Sequence, residues 1–360
     1  MTTTDMHTDP VVRQPDLGRS PQMHAVTRDR YGAPDVLRFA TIARPAVPPG
    51  HLLVQVAAAG VNRGDALEVR GWPRLARLLG YGALRPARAV PGTDMAGTVV
   101  ALHPSPASRN GDGRASRPQE FGIGDRIVGV GTGAFAEFAI LPMSMAVRLP
   151  EGADAVTAAA LPTTGMTALQ AVRDAGRVAA GQQVAVIGAS GGVGTFAVQI
   201  AAAFGAEVTA VAGTRNVELV RSLGATHVVD YTLPGPLGDI TRQACHYDVI
   251  IDTVGSMPLR ALRDALAPRG ALVVVGGSKP NSLTGMGRFV GAAVRSPFTR
   301  RRLVPLFSRP RRDDLETLVG MMADGTLRPV VGRVADLAAT SAILRQVEAG
   351  HGTGRSVVTT

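Results

Sequence analysis

The stretch QVAVIGASGGVGTFAVQIAAAFGA, residues 183–206, constrains this chain more than any other. Val184 to Ile187 is a short apolar run suited to a strand buried on both faces. It leads through Gly188-Ala189-Ser190-Gly191-Gly192-Val193-Gly194 into a segment where Val193, Ala197, Ile200, Ala201 and Phe204 recur at helical spacing. Strand, glycine turn and helix in that order build an anion site. The N–H groups at the helix start point outward, and the helix dipole favours negative charge there. Ala189, Gly191 and Gly194 fill the three small positions of the dinucleotide fingerprint. Gly191 would let the backbone approach a pyrophosphate, and Gly194 would let the helix press on the strand. A purely structural strand–helix turn is the plainer alternative, but the flanking strand and helix favour a dinucleotide.

The 360 residues suit two domains, each with its own core. A hydrophobic content of 45% with 18% charged residues indicates a globular protein. No apolar run approaches the roughly 18 residues of a membrane span. No basic region followed by an apolar core opens the chain, so a cytoplasmic protein is expected. The net charge of +10 is almost all arginine, since Lys279 is the only lysine. No nucleic-acid motif accompanies that charge and only 4% of residues are aromatic, which argues against DNA or RNA. Cys245 is the single cysteine, which excludes intrachain disulfides and a four-thiolate zinc site. Adjacent His246 would point to the opposite face of an extended chain.

Residues 1–22 are polar and Pro-punctuated and read as a disordered leader. Met23–Arg28, Leu37–Ile42 and Leu52–Ala58 are β-prone runs, followed by a strand at Thr98–Leu102. Residues 104–120 read as a flexible loop, after which Phe121–Val128 and Gly133–Phe138 return to β character. From about residue 161 helices alternate with strands, expected at 184–187, 207–211, 227–229, 248–253 and 271–275. That alternation implies a parallel sheet covered on both faces. Residues 285–312 form an arginine-rich insert, and Leu327–Val334 and Arg355–Thr359 read as strands returning to the first domain.

The ordered set GVNRGD (60–65), PGTDMAG (91–97), GIGDRIVG (122–129), GAFAEF (133–138) and LPTTGMTAL (161–169) continues through GASGGVG (188–194) and VELVRSLGATHVVDY (217–231). It ends with YDVIIDTVG (247–255) and GTGRSVVT (352–359). In these pieces the chain resembles the medium-chain dehydrogenase/reductases, in the zinc-free branch related to quinone oxidoreductases. The resemblance implies an α/β protein with a GroES-like, β-rich catalytic domain (23–150 and 325–360). Within it sits a Rossmann NADP-binding domain with a doubly wound parallel sheet (151–324), and the active site lies in the cleft between them. Zinc-dependent relatives carry Gly-His-Glu where this chain has Gly92-Thr93-Asp94, and the cysteine ligands are absent, so no metal is expected.

The second strand of a Rossmann unit that takes NAD normally ends in an acid. Here Ala212-Gly213-Thr214-Arg215-Asn216 follows the strand. Arg215 can accept a 2′-phosphate through its fork, Thr214 can add a hydroxyl, and the resemblance places Tyr231 beside the same group. NADPH is therefore the expected cofactor. By resemblance, Thr164, Thr167, Val254 and Arg355 also line it. Val275-Gly276-Gly277 ends the fifth strand, where Gly276 and Gly277 would leave room for the nicotinamide ring.

Without a Lewis acid, reduction relies on closeness of the nicotinamide to an electron-poor carbon and on hydrogen bonds to the oxygen that gains charge. Quinones and α,β-unsaturated carbonyls meet that need. Asn62 and Asp65 match the motif that lines the cleft, Asn62 as a donor and Asp65 as an orienting group or loop cap. A tyrosine often follows that motif in the family, but Ala66 and Leu67 stand here, and Tyr81 is the substitute the sequence offers. An NADP-dependent alcohol dehydrogenase and a non-catalytic NADPH-binding protein remain as alternatives. The resemblance also implies a homodimer joined at the sheet edge after Ala271–Val275. The insert 285–312 carries eight arginines, and Pro297, Pro305 and Pro310 break it. A helical insert packed on the cleft is favoured over contact with an anionic membrane.

Overall fold

The computed structural model describes residues 21–72, 77, 82–103, 120–233, 247–276, 287–295, 300–350 and 352–360. Tyr81, Gly277, Cys245, loop 104–119 and all but the last two residues of the expected leader lie outside that set. Gln22 already opens a strand, β1 (Gln22–Thr27), which pairs antiparallel with β2 (Arg38–Ala43).

The seven-stranded sheet joins β3 (His51–Val61), β4 (Asp94–His103), β5 (Arg126–Val130), β6 (Phe138–Pro142) and β7 (Ala146–Arg148) to two late strands, β14 (Val331–Asp336) and β15 (Arg355–Thr359). Its order is β14-β15-β3-β4-β5-β7, with β6 also paired to β3. Most pairs are antiparallel, while β14 and β15 run parallel. β4 begins four residues earlier than its apolar run suggested, because Asp94 to Gly97 continue the ladder with β3 and β5. Gly133 to Glu137 is looped, and the strand there starts only at Phe138.

The second sheet is the parallel one that the alternating pattern implied. It contains β8 (Gln183–Ile187), β9 (Glu207–Ala212), β10 (His227–Asp230), β11 (Tyr247–Asp252), β12 (Leu266–Val274) and β13 (Arg302–Pro305), in the order β10-β9-β8-β11-β12-β13. Val184, Ala185, Val186 and Ile187 are all buried, as expected of a central strand covered on both faces. The chain turns to opposite sides on leaving β8 and β11, which opens a crevice at their carboxyl ends.

The insert differs from its reading. Residues 287–295 do form a helix, yet Arg302–Pro305 then extends the sheet alongside β12. The β-branched and long apolar pair Leu303-Val304 lets this short, proline-ended segment serve as an edge strand. The edge expected after Ala271–Val275 is therefore covered within the same chain, and β13 is the outer strand instead.

Three helices lie at the junction of the sheets: α1 (Arg63–Arg70) leaves β3, while α2 (Ala155–Ala159) and α3 (Pro162–Leu169) lead toward β8. Ala58, Ala96 and Val357 of the first sheet share one buried cluster with α2, α3, with Val184 and Val186 of the second sheet and with Phe196 on the helix that follows β8. The crevice at the end of β8 thus faces the carboxyl end of β3 across a continuous core.

Candidate active site

The glycine turn runs from β8 into α4 (Gly192–Ala203). Gly188 has φ +78°, and a Cβ there would stand 2.3 Å from Val254 Cγ2. A Cβ at Gly194 would stand 2.0 Å from the Gly188 carbonyl oxygen, so helix and strand touch through bare backbone. Gly191 is different. Its nearest neighbour to an added Cβ is the Gly188 oxygen at 3.4 Å, an ordinary contact. The protein itself does not require glycine at 191, and the open space lies where the first N–H groups of α4 emerge. That cradle fits a pyrophosphate.

At the end of β9, Gly213 lies under the Tyr231 ring: an added Cβ would be 3.3 Å from the Tyr231 hydroxyl. Thr214 shares a hydrogen bond with Thr232 at 2.7 Å, and both hydroxyls serve the Asp230 carboxylate, which they hold below its usual range. Exposed Thr214 and Arg215 and half-exposed Tyr231 are thereby brought to one rim of the crevice. Sequence reasoning missed Asn216 behind them. Its amide donates to Ser190 Oγ at 3.1 Å and accepts from Thr353 Oγ1 at 2.9 Å, tying the glycine turn to the segment before β15. An asparagine opening a helix is common enough that nothing in the sequence singled it out.

Arg355 enters the same place. Its neighbour Gly354 donates its N–H to the Ser190 carbonyl at 2.8 Å, and an added Cβ on Gly192 would be 2.9 Å from Arg355 Cδ. The guanidinium is buried, donates through Nη1 to the Val61 carbonyl at 2.9 Å, and leaves Nε and Nη2 without hydrogen bonds. Nη2 is 3.5 Å from Asp94 Oδ2, close enough for an ion pair but not aligned as a hydrogen bond. Asp94 in turn accepts from the Thr163 N–H at 3.0 Å and from the Thr163 hydroxyl, so its carboxylate caps α3 from the other sheet.

Thr164 and Thr167 lie on that helix, and both hydroxyls are spent on it. Thr164 donates to the Ala160 carbonyl at 3.1 Å and Thr167 to the Thr163 carbonyl at 2.6 Å. The Thr164 methyl nevertheless stands beside Gly192. Val254 is half-exposed over Gly188, in the loop that buried Asp252 orders by accepting from the N–H groups of Val254 and Gly255. At Gly276 a Cβ would fall 2.0 Å from the Thr253 carbonyl. Backbone packing, not room for a ring, demands glycine there.

The cleft beside these groups has a volume of about 330 Å³, and Asn62, Asp65, Leu67, Trp72, Thr93 and Thr163 are among its walls. Asn62 is only 4% exposed, and neither atom of its side-chain amide has a partner. Its backbone N–H donates to Asp65 Oδ2 at 2.6 Å, the reach-back half of a capping box at the start of α1, while the Asp65 N–H turns to the Asn62 carbonyl at 3.1 Å and leaves the side-chain amide unused. Buried amides are normally satisfied, so an orphan facing a cleft marks a place for a ligand.

Comparison with known proteins agrees with this geometry. The model of the alcohol dehydrogenase GroES-like domain matches residues 48–151, and that of the zinc-binding dehydrogenases matches 223–358. The chain is 29% identical to a chloroplast envelope quinone oxidoreductase homolog of Arabidopsis thaliana, over 93% of this chain and 98% of that protein. The solved structure of the quinone oxidoreductase from Coxiella burnetii superposes with a TM-score of 0.77 at 25% identity, covering 94% of this chain and all of that one. The chain belongs to the medium-chain dehydrogenase/reductases, among their quinone oxidoreductase-like members. A trans-enoyl reductase of Aspergillus terreus is 34% identical over 58% of this chain and 56% of its own length.

As a medium-chain dehydrogenase/reductase, the protein is of the Rossmann type that binds a nicotinamide dinucleotide. Thr93, Asp94 and Thr163, which line the cleft or brace it, escaped the sequence reading. Their roles come from contacts between segments far apart in the chain, which no local pattern records.

Proposed function

We propose that the protein transfers a hydride from NADPH to a quinone or an α,β-unsaturated carbonyl without a zinc ion. The unpartnered, buried amide of Asn62 in the wall of the cleft carries the reading. When bound, NADPH supplies the hydride. Asn62 offers an N–H to the oxygen that gains charge, and the closed surroundings strengthen that bond. Gly191 and the start of α4 hold the pyrophosphate together with Nε of Arg355, which has no hydrogen-bond partner. Arg215, Thr214 and Tyr231 hold the 2′-phosphate.

The zinc-free assignment rests on the donors present. The region matched by the zinc-binding dehydrogenases contains only His227, His246, His351 and Cys245 as imidazole or thiol donors. Among the described residues no three His, Cys, Asp or Glu side chains are grouped to hold a metal ion. Gly92-Thr93-Asp94 supplies a carboxylate already engaged with Thr163 and Arg355.

The test is NADPH and NADH oxidation against a panel of quinones and enones, compared by kcat/KM. Turnover with NADPH is expected. A preference for NADH overturns the cofactor assignment, tight NADPH binding without oxidation points to a binding protein, and alcohol oxidation with NADP points to an alcohol dehydrogenase. We also propose a homodimer, now with β13 as the joining edge, since an exposed edge strand is a ready template for pairing. A monomer across micromolar concentrations in analytical ultracentrifugation rejects it. Among the described residues no helix is long and apolar enough to cross a membrane.

A further inference from the structure

Reduction of an enone or quinone consumes a proton along with the hydride, and three carboxyl groups lie in or beside the cleft. Two of them have cations. Glu68 receives Arg28 Nη2 at 2.6 Å, and Asp94 faces Arg355 Nη2 at 3.5 Å. Asp65 is 3% exposed, and among the described residues no cation stands within ion-pair distance of it. Its hydrogen bond comes from the Asn62 N–H at 2.6 Å, which occupies Oδ2. A carboxylate in that position would be desolvated, unpaired and flanked by two other carboxylates, and such a group is more stable with a proton.

We propose that Asp65 is the acid that protonates the reduced substrate in the cleft. The proposal rests on the reductase reading above and assigns the proton source that reading left open. Hydride adds to the β-carbon of the enone and the carbon–carbon π pair shifts to leave an enolate. The O–H bond of Asp65 then breaks, its proton goes to the enolate and the electron pair stays on the carboxylate. For a quinone the proton goes to the oxyanion of the hydroquinone anion. Water reaching the cleft after product leaves restores the acid. Asn62 and Asp65 then divide the work: one stabilises the developing oxyanion and the other quenches it.

The charged groups around Asp65 agree with this. Burial contributes most, then the charge of Asp94 on β4 and that of Glu68 on α1; the Asn62 N–H and Arg355 on β15 pull the other way. Their sum pushes the Asp65 carboxyl up to about 8, so it is an acid at neutral pH and close to it in strength.

Asp65→Asn tests the proposal, because the amide oxygen still accepts the Asn62 N–H while the proton is lost. Infrared difference spectra of the protein without cofactor should show a protonated carboxyl at about pH 6. That band should titrate near pH 8 and be missing in Asp65→Asn. With an accepted enone or quinone, Asp65→Asn should lower kcat roughly a hundredfold or more while NADPH affinity stays unchanged. The wild-type kcat should fall above about pH 8, and the variant's profile should be flat. A carboxylate already ionised at about pH 6, or a variant with wild-type kcat and pH profile, overturns the proposal. If no acceptor supports NADPH oxidation, the reductase reading falls and takes this one with it; turnover indifferent to Asp65→Asn removes this one alone. Should the variant fail to fold, the wild-type infrared titration and pH profile still decide.

Discussion

Arg355 reaches Asp94 across the backbone of Gly60, with Nη2 and Oδ2 3.5 Å apart and both side chains buried. β15 and β4 are not neighbours, since β3 lies between them. A Cβ on Gly60 would stand 3.0 Å from Nη2 and 2.3 Å from the Ala159 carbonyl, so glycine keeps the path open. The pair therefore links three strands and, through Thr163, the start of α3.

Breaking that pair should destabilise the fold as well as the site. Arg355→Met leaves the Asp94 charge buried with only hydroxyl and N–H partners, a loss of about 3 kcal/mol. Urea unfolding measures it, and NADPH titration of the folded variant should show weaker binding. Unchanged stability would mean that the Thr93 and Thr163 donors satisfy Asp94 without Arg355.

The glycines of the turn should separate fold from ligand. Gly194→Ala places a methyl 2.0 Å from a carbonyl oxygen and should cost about 1–3 kcal/mol by overpacking. Gly191→Ala meets nothing closer than 3.4 Å, so its unfolding midpoint should stay within about 0.5 kcal/mol of wild type. Its NADPH affinity should nevertheless drop, as isothermal calorimetry would show. Equal affinity for Gly191→Ala and wild type would remove the pyrophosphate from this turn.

Arg215→Ala should raise the NADPH Kd by about one to two decades, the value of a charged hydrogen bond set, and leave the NADH Kd unchanged. Fluorescence titration with both cofactors reads the contrast. Parallel losses for both would assign Arg215 a structural role instead.

Asp65 should also write itself into stability. Its pKa is raised on folding, from 3.8 to about 8, so the folded state holds a proton that the unfolded chain gives up first. The resulting stability is complete below the lower value and is lost as pH rises through the upper one. Denaturant unfolding across that window should show wild type declining relative to Asp65→Asn. A constant difference between the two would mean that Asp65 is ionised throughout.

The parallel sheet was legible because its strands read as short apolar runs broken by helical spacing, and the glycine turn because each glycine has a local cause. Asn62 and Arg355 were legible only through the ordered resemblance of the whole chain. β13 was not: three arginines and two prolines hide a four-residue strand inside an amphipathic segment. Asn216 was hidden differently, since its two partners, Ser190 and Thr353, come from the glycine turn and from the segment before β15 of the other sheet. Pairwise tertiary contacts of that kind leave no periodicity to read.

The bridge between Gly191 and Gly354 has a consequence for synthesis. A chain that has left the ribosome as far as Asp324 already carries every strand of the parallel sheet and the complete glycine turn. It still lacks Thr353, Gly354 and Arg355, and with them the partners of Asn216, Ser190 and Asp94. The nascent protein can thus fold its nucleotide half early, while a closed pocket, and the grip on anionic ligands that goes with it, arrives only with the final strand.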